Sequence, residues 1–313
     1  MSTPPSFWLP TAPCTPDRCE AHPGPAAPRA GAVTGAVRLT AGLGAVLLGV
    51  LLSPLTAPLP AAARLFLVRV WCRAVLRAFG VRLRVTGAAP APRGVPLLVV
   101  ANHVSWLDIP LIAAVLPGRM LAKREVRSWP VLGPLAVFGG TVFIDRDRLR
   151  SLHATVGAMA RALGAGGRVV VFPEGSTWCG RAGGVFRPAA FQAALDAGAE
   201  IQPVRIDYRP LGPAAFVGDD SLGASLWRIA TARRLVAEIR LSDPLSSGRW
   251  PDRRSLARAA EAAVAQDSRL LPGIPAQPSA GTVAKDSANR SFSSVHQRES
   301  VKPASASSAR TPS

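Results

Sequence analysis

Residues 95–110 read "VPLLVVANHVSWLDIP", and this stretch decides the fold. The apolar run that ends at Ala101 is continuous rather than alternating, which is typical of a strand covered on both faces of a parallel sheet. Residues 105–116 then predict a helix. Asn102 and His103 occupy the turn between the two elements, where open α/β sheets bind their ligands.

The same alternation of strands and helices continues along the chain. Further strands are predicted for "VRLRVTG" (81–87), "RMLAK" (119–123), "GTVFI" (140–144), "RVVVF" (168–172), "IQPVRI" (201–206) and "LVAEIRL" (235–241), and further helices for 128–138, 149–163, 187–197 and 253–269. This order predicts an α/β fold with a mixed, largely parallel sheet flanked by helices, preceded by an N-terminal membrane-associated helical segment.

Composition divides the chain into four regions. Residues 1–30 are rich in Pro and Ala and predict a disordered leader, and residues 271–313 are rich in Ser and Ala and predict a disordered tail. Residues 31–80 are expected to associate with a membrane, and residues 81–270 to form the α/β domain.

The membrane expectation rests on two adjacent segments. No charged residue lies between Arg38 and Arg64, and the apolar stretch is long enough in principle to cross a bilayer, which takes ~20 residues. Three prolines interrupt its second half, and the part without proline is short for a span. A clean span, a re-entrant insertion and a buried helix of the globular domain all remain open. Residues 63–80 predict a basic amphipathic helix, which suits either a membrane interface or a solvated protein surface.

The charge of the chain indicates its class of partner, and its cysteines indicate whether a metal site or a disulfide is expected. The formal net charge of +18 favours an anionic partner, which could be nucleic acid, an acidic membrane surface or a phosphorylated substrate. No nucleic-acid-binding motif is present. The four cysteines have no metal-binding spacing, so no metal is expected, and free thiols in a reducing compartment are the simplest interpretation.

His103 and Asp108 form the first candidate site. On one continuous helix, residues five apart would point about 140° from each other, so the two side chains meet only if His103 precedes the helix and folds back over its first turn. Asp108 could then hold one ring nitrogen and leave the other free as a general base toward a substrate hydroxyl. The alternative is a histidine that caps a turn beside an aspartate near a helix N-terminus.

Two more predicted strands end in polar residues. Arg146 follows "TVFI" and can offer a bidentate fork to a phosphate, or it can pair with a neighbouring aspartate. Glu174 and Gly175 follow "RVVVF", and the glycine permits close approach of the backbone to an anion. Glu174 could bind a substrate hydroxyl, hold a basic residue in place or be satisfied by a backbone amide.

Four sequence blocks together resemble a known family. They are "NHVSWLD" (102–108), "GTVFIDR" (140–146), "FPEGST" (172–177) and "IQPV" (201–204). Their order and spacing resemble those of the glycerolipid acyltransferases, and in particular the 1-acyl-sn-glycerol-3-phosphate (lysophosphatidic acid) acyltransferase type. The resemblance covers roughly residues 64–245 and identifies residues 81–270 as an acyltransferase domain.

The resemblance implies a role for each matching residue. His103 would be the general base on the acceptor hydroxyl, and Asp108 would orient it and balance its charge. The implied substrate-binding residues are Arg146 and Lys123 for the acceptor phosphate, Gly140 and Phe143 for the pocket shape, Glu174 and Gly175 for the glycerol backbone, Ser176 as the hydroxyl residue that follows, and Pro203 on the acyl-donor side.

The implied activity moves a fatty acyl group from acyl-CoA or acyl carrier protein to the free hydroxyl of 1-acyl-sn-glycerol 3-phosphate, which gives phosphatidic acid. Neither a cofactor nor a metal is required. The expected place is the anionic surface of the inner membrane, with the catalytic domain on its cytoplasmic face. Another lysolipid such as lyso-ornithine lipid could be the acceptor. An inactive membrane lipid-binding protein is a further alternative, and the presence of both His103 and Asp108 counts against it.

Overall fold

The computed structural model describes residues 14, 29–89, 91–92, 94–145, 149–218 and 220–269. Apart from residues 14, 29 and 30, the expected leader therefore lies outside the described residues, and so do the expected tail and Arg146. All the described residues belong to one unit of the chain, Met1–Ala280.

The described chain folds into alternating helices and strands. The helices are α1 (Ala32–Leu52), α2 (Ala61–Ala78), α3 (Asp108–Val115), α4 (Leu132–Phe138), α5 (Leu149–Gly164), α6 (Ala189–Ala197), α7 (Leu222–Thr231) and α8 (Arg253–Arg269). The strands are β1 (Val81–Gly87), β2 (Leu97–Ala101), β3 (Arg119–Lys123), β4 (Val142–Ile144), β5 (Arg168–Val171), β6 (Glu200–Arg209), β7 (Leu235–Leu241) and β8 (Leu245–Ser246). Short 3-10 helices occupy Ser53–Thr56, Arg124–Ser128 and Ser247–Arg249.

The strands form one mixed sheet in the order β1-β7-β6-β2-β5-β3-β4, with β8 paired to β6. Strands β6, β2, β5, β3 and β4 are parallel to one another, while β7 and β8 run antiparallel to β6. The prediction of a mixed, largely parallel sheet is confirmed. The carboxyl ends of the five parallel strands meet at one edge of the sheet, which we call the carboxyl edge.

Both faces of the sheet are covered. Alternate residues of β2 point to opposite sides, with Leu97 and Val99 in the core beneath α2, α3 and α7, and Leu98 and Val100 in the core beneath α5, α6 and α8. Every residue of β2 is buried. The continuous apolar run before His103 is explained by this burial on both faces.

Two helices begin three or four residues later than predicted. Helix α3 begins at Asp108 rather than at residue 105, because the Asp108 carboxylate accepts the backbone amides of Val104 and Ser105 and holds those residues in a turn. Helix α4 begins at Leu132 rather than at residue 128. Trp129, which precedes a proline, is extended with ψ 134°, because a following proline disfavours helical backbone.

Helices α1 and α2 form a hairpin that is anchored on the domain. Ala32–Thr56 is the one helical stretch among the described residues that is long and apolar enough to cross a membrane. Near its start, the Arg38 guanidinium donates to the Ala232 carbonyl at 2.7 Å. The C-terminal half of α2 returns into the core with Cys72, Val75, Leu76 and Phe79. Residues on both sides of the expected boundary at residue 80 therefore share one core.

Glycines let α2 approach α1 closely. A Cβ atom at Gly42 would lie 2.5 Å from the Phe79 ring, and one at Gly49 would lie 2.3 Å from the Trp71 indole. The Trp71 indole also donates to the Ala45 carbonyl at 2.8 Å. These contacts, seven residues apart on α1, hold the two helices antiparallel and in register.

A methyl group at Gly42 should loosen this hairpin. We expect Gly42→Ala to lower the free energy of unfolding by about 1–3 kcal/mol, because the new Cβ overlaps the Phe79 ring and a packed contact must shift. Gly44→Ala is the matched control on the same helix, since nothing lies within 4 Å of its Cβ position and alanine favours helix. Denaturant unfolding in detergent micelles measures both, and equal stability of the two variants would contradict this packing.

Candidate active site

The first sequence block, residues 102–108, leaves the sheet at a point that Asn102 fixes. Asn102 follows the last residue of β2, and its side-chain amide bonds the backbone of Ile206 on the neighbouring strand in both directions, at 2.9 Å and 2.8 Å. These two hydrogen bonds continue the β2–β6 pairing beyond the last residue of β2, with the Asn102 side chain in place of backbone. His103 is thereby placed at the carboxyl edge.

The third block holds the backbone and the ring of His103. The His103 amide donates to Glu174 Oε2 at 2.8 Å, and the His103 carbonyl accepts from the Trp178 amide at 2.7 Å. The imidazole stacks on the Phe172 ring with a centroid distance of 4.1 Å and an interplanar angle of 17°. The strand end of β5 therefore fixes both the position and the plane of the imidazole.

The imidazole meets Asp108 as the spacing predicts. His103 precedes α3 and folds back over its first turn, so that Nδ1 lies 2.8 Å from Asp108 Oδ2. The Asp108 side chain is fully buried, and the His103 side chain is 18 % exposed. Because the carboxylate only accepts, Nδ1 carries the proton and Nε2 keeps its lone pair. Nε2 makes no hydrogen bond within the described part of the chain, so it can accept a proton from a substrate.

Asp108 also has a partner that sequence reasoning missed. The Tyr208 hydroxyl donates to Asp108 Oδ1 from strand β6, one hundred residues along the chain. Phe172 and Trp178 were likewise not predicted to touch His103. Their contacts join separate strand ends, and no local spacing in the sequence indicates which strand ends are neighbours.

Glu174 is buried and faces the protein. Its Oε1 accepts from the Gly184 amide at 3.1 Å, and its Oε2 accepts from the His103 amide. Of the three alternatives for this carboxyl, satisfaction by backbone amides is the one that the geometry matches. The expected contact with an acceptor glycerol stays a prediction, because a carboxyl oxygen that accepts one amide can accept a further hydrogen bond. Glu174 instead joins the third block to the first.

Burial raises the pKa of Glu174 from 4.5 to about 8, although the two backbone amides and the charge of Arg205 oppose the shift. The folded protein therefore binds this proton more tightly than the unfolded chain does, and stability should fall as the pH rises from about 4.5 to 8. We expect Glu174→Gln to remove this component. Thermal unfolding of both proteins across that range measures it, and a pH-independent difference between them would contradict the burial effect.

Of the candidate phosphate residues, Lys123 ends β3, two strands from β2, and is exposed at the carboxyl edge. Phe143 on β4 is half-buried, with the Arg127 guanidinium 6.0 Å from its ring centroid. Gly140 adopts a φ of +67° just before β4. The expected phosphate ligand Arg146 lies outside the described residues.

The remaining predicted residues lie in the third and fourth blocks. Gly175 adopts a φ of +76°, and its amide closes the turn onto the Phe172 carbonyl at 3.0 Å, with Ser176 half-buried beside it. Pro203 is buried inside β6, where its carbonyl accepts from the Ser242 amide at 3.1 Å. It pairs with Val100, one residue before the end of β2, and its expected role on the acyl-donor side stays a prediction.

Within the ranges that the structure describes, no group of three or more His, Cys, Asp or Glu side chains could hold a metal ion. The arrangement is that of a general base: an imidazole that is aligned by a buried carboxylate and stacked on a ring. Such a group can take the proton of a hydroxyl that attacks a carbonyl.

Comparison with known proteins gives the same assignment. A family model described as Acyltransferase matches residues 82–207. The lyso-ornithine lipid O-acyltransferase of Pseudomonas aeruginosa is 41% identical over 202 residues, which is 63% of this chain and 76% of that protein. The 1-acyl-sn-glycerol-3-phosphate acyltransferase of Neisseria meningitidis is 40% identical over 174 residues, which is 53% of this chain and 67% of that protein.

A solved structure shares the fold. The crystal structure of the 1-acyl-sn-glycerophosphate acyltransferase PlsC from Thermotoga maritima superposes with a TM-score of 0.61 at 19% identity, covering 75% of this chain and 93% of that one. With the two relatives above, each matched over about two thirds or more of its length, this chain belongs to the glycerolipid acyltransferase family, which acylates lysolipids.

Proposed function

We propose that the chain transfers a fatty acyl group from a thioester donor, acyl-CoA or acyl carrier protein, to the free hydroxyl of a membrane lysolipid. The observation that carries the proposal is the bond from His103 Nδ1 to Asp108, which leaves Nε2 open. The acceptor oxygen attacks the thioester carbonyl while Nε2 takes its proton. The C–S bond then breaks, and the protonated imidazole returns the proton to the departing thiolate.

Two acceptors are candidates. The first is 1-acyl-sn-glycerol 3-phosphate, which would give phosphatidic acid. Lys123 at the carboxyl edge supports it, because an ammonium is a suitable partner for a phosphate. The second is lyso-ornithine lipid, and the Pseudomonas aeruginosa relative, with its 202 aligned residues, supports it.

An acceptor assay tests the proposal. The purified chain is incubated with labelled acyl-CoA or acyl carrier protein and with each lysolipid separately. Phosphatidic acid as product supports the first acceptor, and transfer to the ornithine lipid alone supports the second. Failure to acylate either acceptor with either donor would overturn the function.

Lys123→Ala distinguishes a phosphate-binding role from a general charge effect. If the acceptor phosphate binds Lys123, the KM for that lipid should rise about tenfold, while a phosphate-free acceptor is little affected. Arg119→Ala is the matched control, because Arg119 is an exposed cation at the opposite end of the same strand. An equal rise in KM for both variants would exclude the specific role.

We also propose that the α1–α2 hairpin inserts into the cytoplasmic leaflet of the inner membrane without spanning it. Much of α1 is apolar and exposed, as at Leu47 (49 %) and Leu51 (73 %). Because α1 and α2 are antiparallel and both are anchored on the domain, the chain would enter and leave at one face. The cytoplasmic side is favoured by the arginines of α2 and by the location of the soluble acyl donors.

Aspartates on the exposed face of the hairpin should release the protein from membranes. We expect Leu47→Asp with Leu51→Asp to weaken vesicle binding at least a hundredfold, because each buried charge opposes insertion by about 2.5–3.5 kcal/mol. Val85→Asp is the control, since this residue of β1 is similarly exposed at 46 %. Co-sedimentation with anionic vesicles measures binding, and unchanged binding of the double variant would overturn the insertion.

A further inference from the structure

The two oxygens of Asp108 are held in different ways. Oδ2 accepts from His103 Nδ1 and from the backbone amides of Val104 and Ser105, at 2.7–2.9 Å. Oδ1 accepts from the Tyr208 hydroxyl, its one hydrogen-bond donor within the described ranges. A carboxylate held at both oxygens cannot turn, whereas a carboxylate held at one oxygen can tilt about it. The Tyr208 hydroxyl therefore determines the tilt of the Asp108 carboxylate.

Tyr208 is itself fixed by the sheet. It lies on β6 with only 3% of its surface exposed, in the same core as β2. Two residues earlier on β6, Ile206 bonds the Asn102 amide that places His103. Strand β6 thus sets both where the imidazole leaves the sheet and how the carboxylate is oriented.

The Tyr208 hydroxyl remains a donor over the working pH range. Burial raises the pKa of the phenol well above its usual value, and the negative charge of Asp108 adds to the shift. A hydrogen bond from Ser105 lowers the pKa in part. The proton on the tyrosine oxygen is therefore always available to Asp108.

We propose that Tyr208 is a positioning residue for acyl transfer, whose hydroxyl fixes the Asp108 carboxylate so that Oδ2 stays aligned with His103 Nδ1. The proposal rests on the proposed function, in which His103 is the base. Without the hydroxyl, a buried carboxylate oxygen would have no partner, and the group would rotate or admit water. The imidazole would then lose the orientation in which Nε2 faces the acceptor.

Tyr208→Phe tests the role, because it keeps the ring and removes only the hydroxyl. We expect kcat to fall about ten- to a hundredfold while KM for lipid and donor stays within twofold, with rates expressed per folded protein. Thr155→Val is the matched control, since it also removes a buried hydroxyl, which donates to the Ser151 carbonyl on α5. Equal kcat for the two variants would show a merely structural role and overturn the proposal.

A double-mutant cycle shows whether Tyr208 acts through Asp108. In an Asp108→Asn background, Tyr208→Phe should change the remaining kcat less than about threefold, because the carboxylate it positions is already gone. A full additional loss in that background would mean that the tyrosine acts independently of Asp108, and it would overturn the proposal.

A spectroscopic measurement requires no substrate. In the full-length protein, the downfield Nδ1 proton of His103 is assigned by its disappearance in His103→Ala. In Tyr208→Phe this signal should shift or broaden, and an unchanged signal would overturn the proposal. Lack of acyl transfer by the wild type would instead contradict the proposed function, so the two failures can be told apart.

Discussion

His103→Ala should lower kcat for acyl transfer by roughly 10²–10⁴-fold, the usual contribution of a positioned general base, while KM for the lysolipid changes little. The reason lies in the geometry of the imidazole. Its Nδ1 donates to Asp108 Oδ2 at 2.8 Å, and its plane is set by stacking on Phe172. The lone pair of Nε2 is therefore not used in a hydrogen bond within the described residues. Alanine removes the proton acceptor without removing the surfaces that bind lipid.

His153→Ala is the matched control for that measurement. His153 is exposed on α5 and makes no hydrogen bond to His103 or Asp108 within the described residues, so its loss should have no effect on kcat. Initial rates are measured with the acceptor that the wild type acylates, over a range of both substrates. Activity of His103→Ala within threefold of the wild type would exclude His103 as the base and would remove the observation that carries the proposed function.

The meeting of His103 and Asp108 could be predicted because it is local. His103 and Asp108 are five residues apart, and the buried strand before them indicates where the turn must lie. A side-chain meeting across one turn depends only on the backbone of that turn. The same holds for the elements themselves, whose apolar periodicity predicts most of the strands that the structure contains.

The contacts that hold His103 and Asp108 in place could not be predicted, because they join elements that are distant in the sequence. Glu174 reaches the His103 amide across 71 residues, and Tyr208 reaches Asp108 across 100. Both contacts depend on β2 lying between β5 and β6. The order of strands within a sheet cannot be read from one sequence. The sequence therefore identifies Glu174 as polar and placed at a strand end, but not as a buried group facing the protein.

The contacts within the α1–α2 hairpin could not be predicted from the sequence either. The glycines at 42 and 49 are visible in the sequence, yet their partners Phe79 and Trp71 become evident only once α2 runs antiparallel to α1. Apolar composition alone left a span, a re-entrant segment and a buried helix open. The contacts of α1 with α2 support the proposed re-entrant insertion, because they hold the two helices antiparallel.

Asp108→Asn should lower kcat by roughly 10³–10⁴-fold, as expected when the acid that orients a catalytic imidazole loses its charge. The asparagine has one accepting oxygen where the carboxylate has two. With that oxygen toward the three donors on the Oδ2 side, its NH₂ group faces the Tyr208 hydroxyl, and no negative charge remains to stabilise the imidazolium. In the opposite orientation the NH₂ group faces donors, and His103 loses its partner.

Asp252→Asn is the control that separates catalysis from helix capping. Asp252 also accepts two backbone amides at the start of a helix, those of Arg254 and Ser255, but it is exposed and holds no histidine. If Asp108 only capped α3, the two substitutions would both leave kcat intact and would change stability alone. We expect Asp108→Asn to lose kcat and also about 1–3 kcal/mol of unfolding free energy, because a buried donor is left unsatisfied. Asp252→Asn should keep the wild-type kcat, and steady-state kinetics beside thermal unfolding of both variants decide between the two roles.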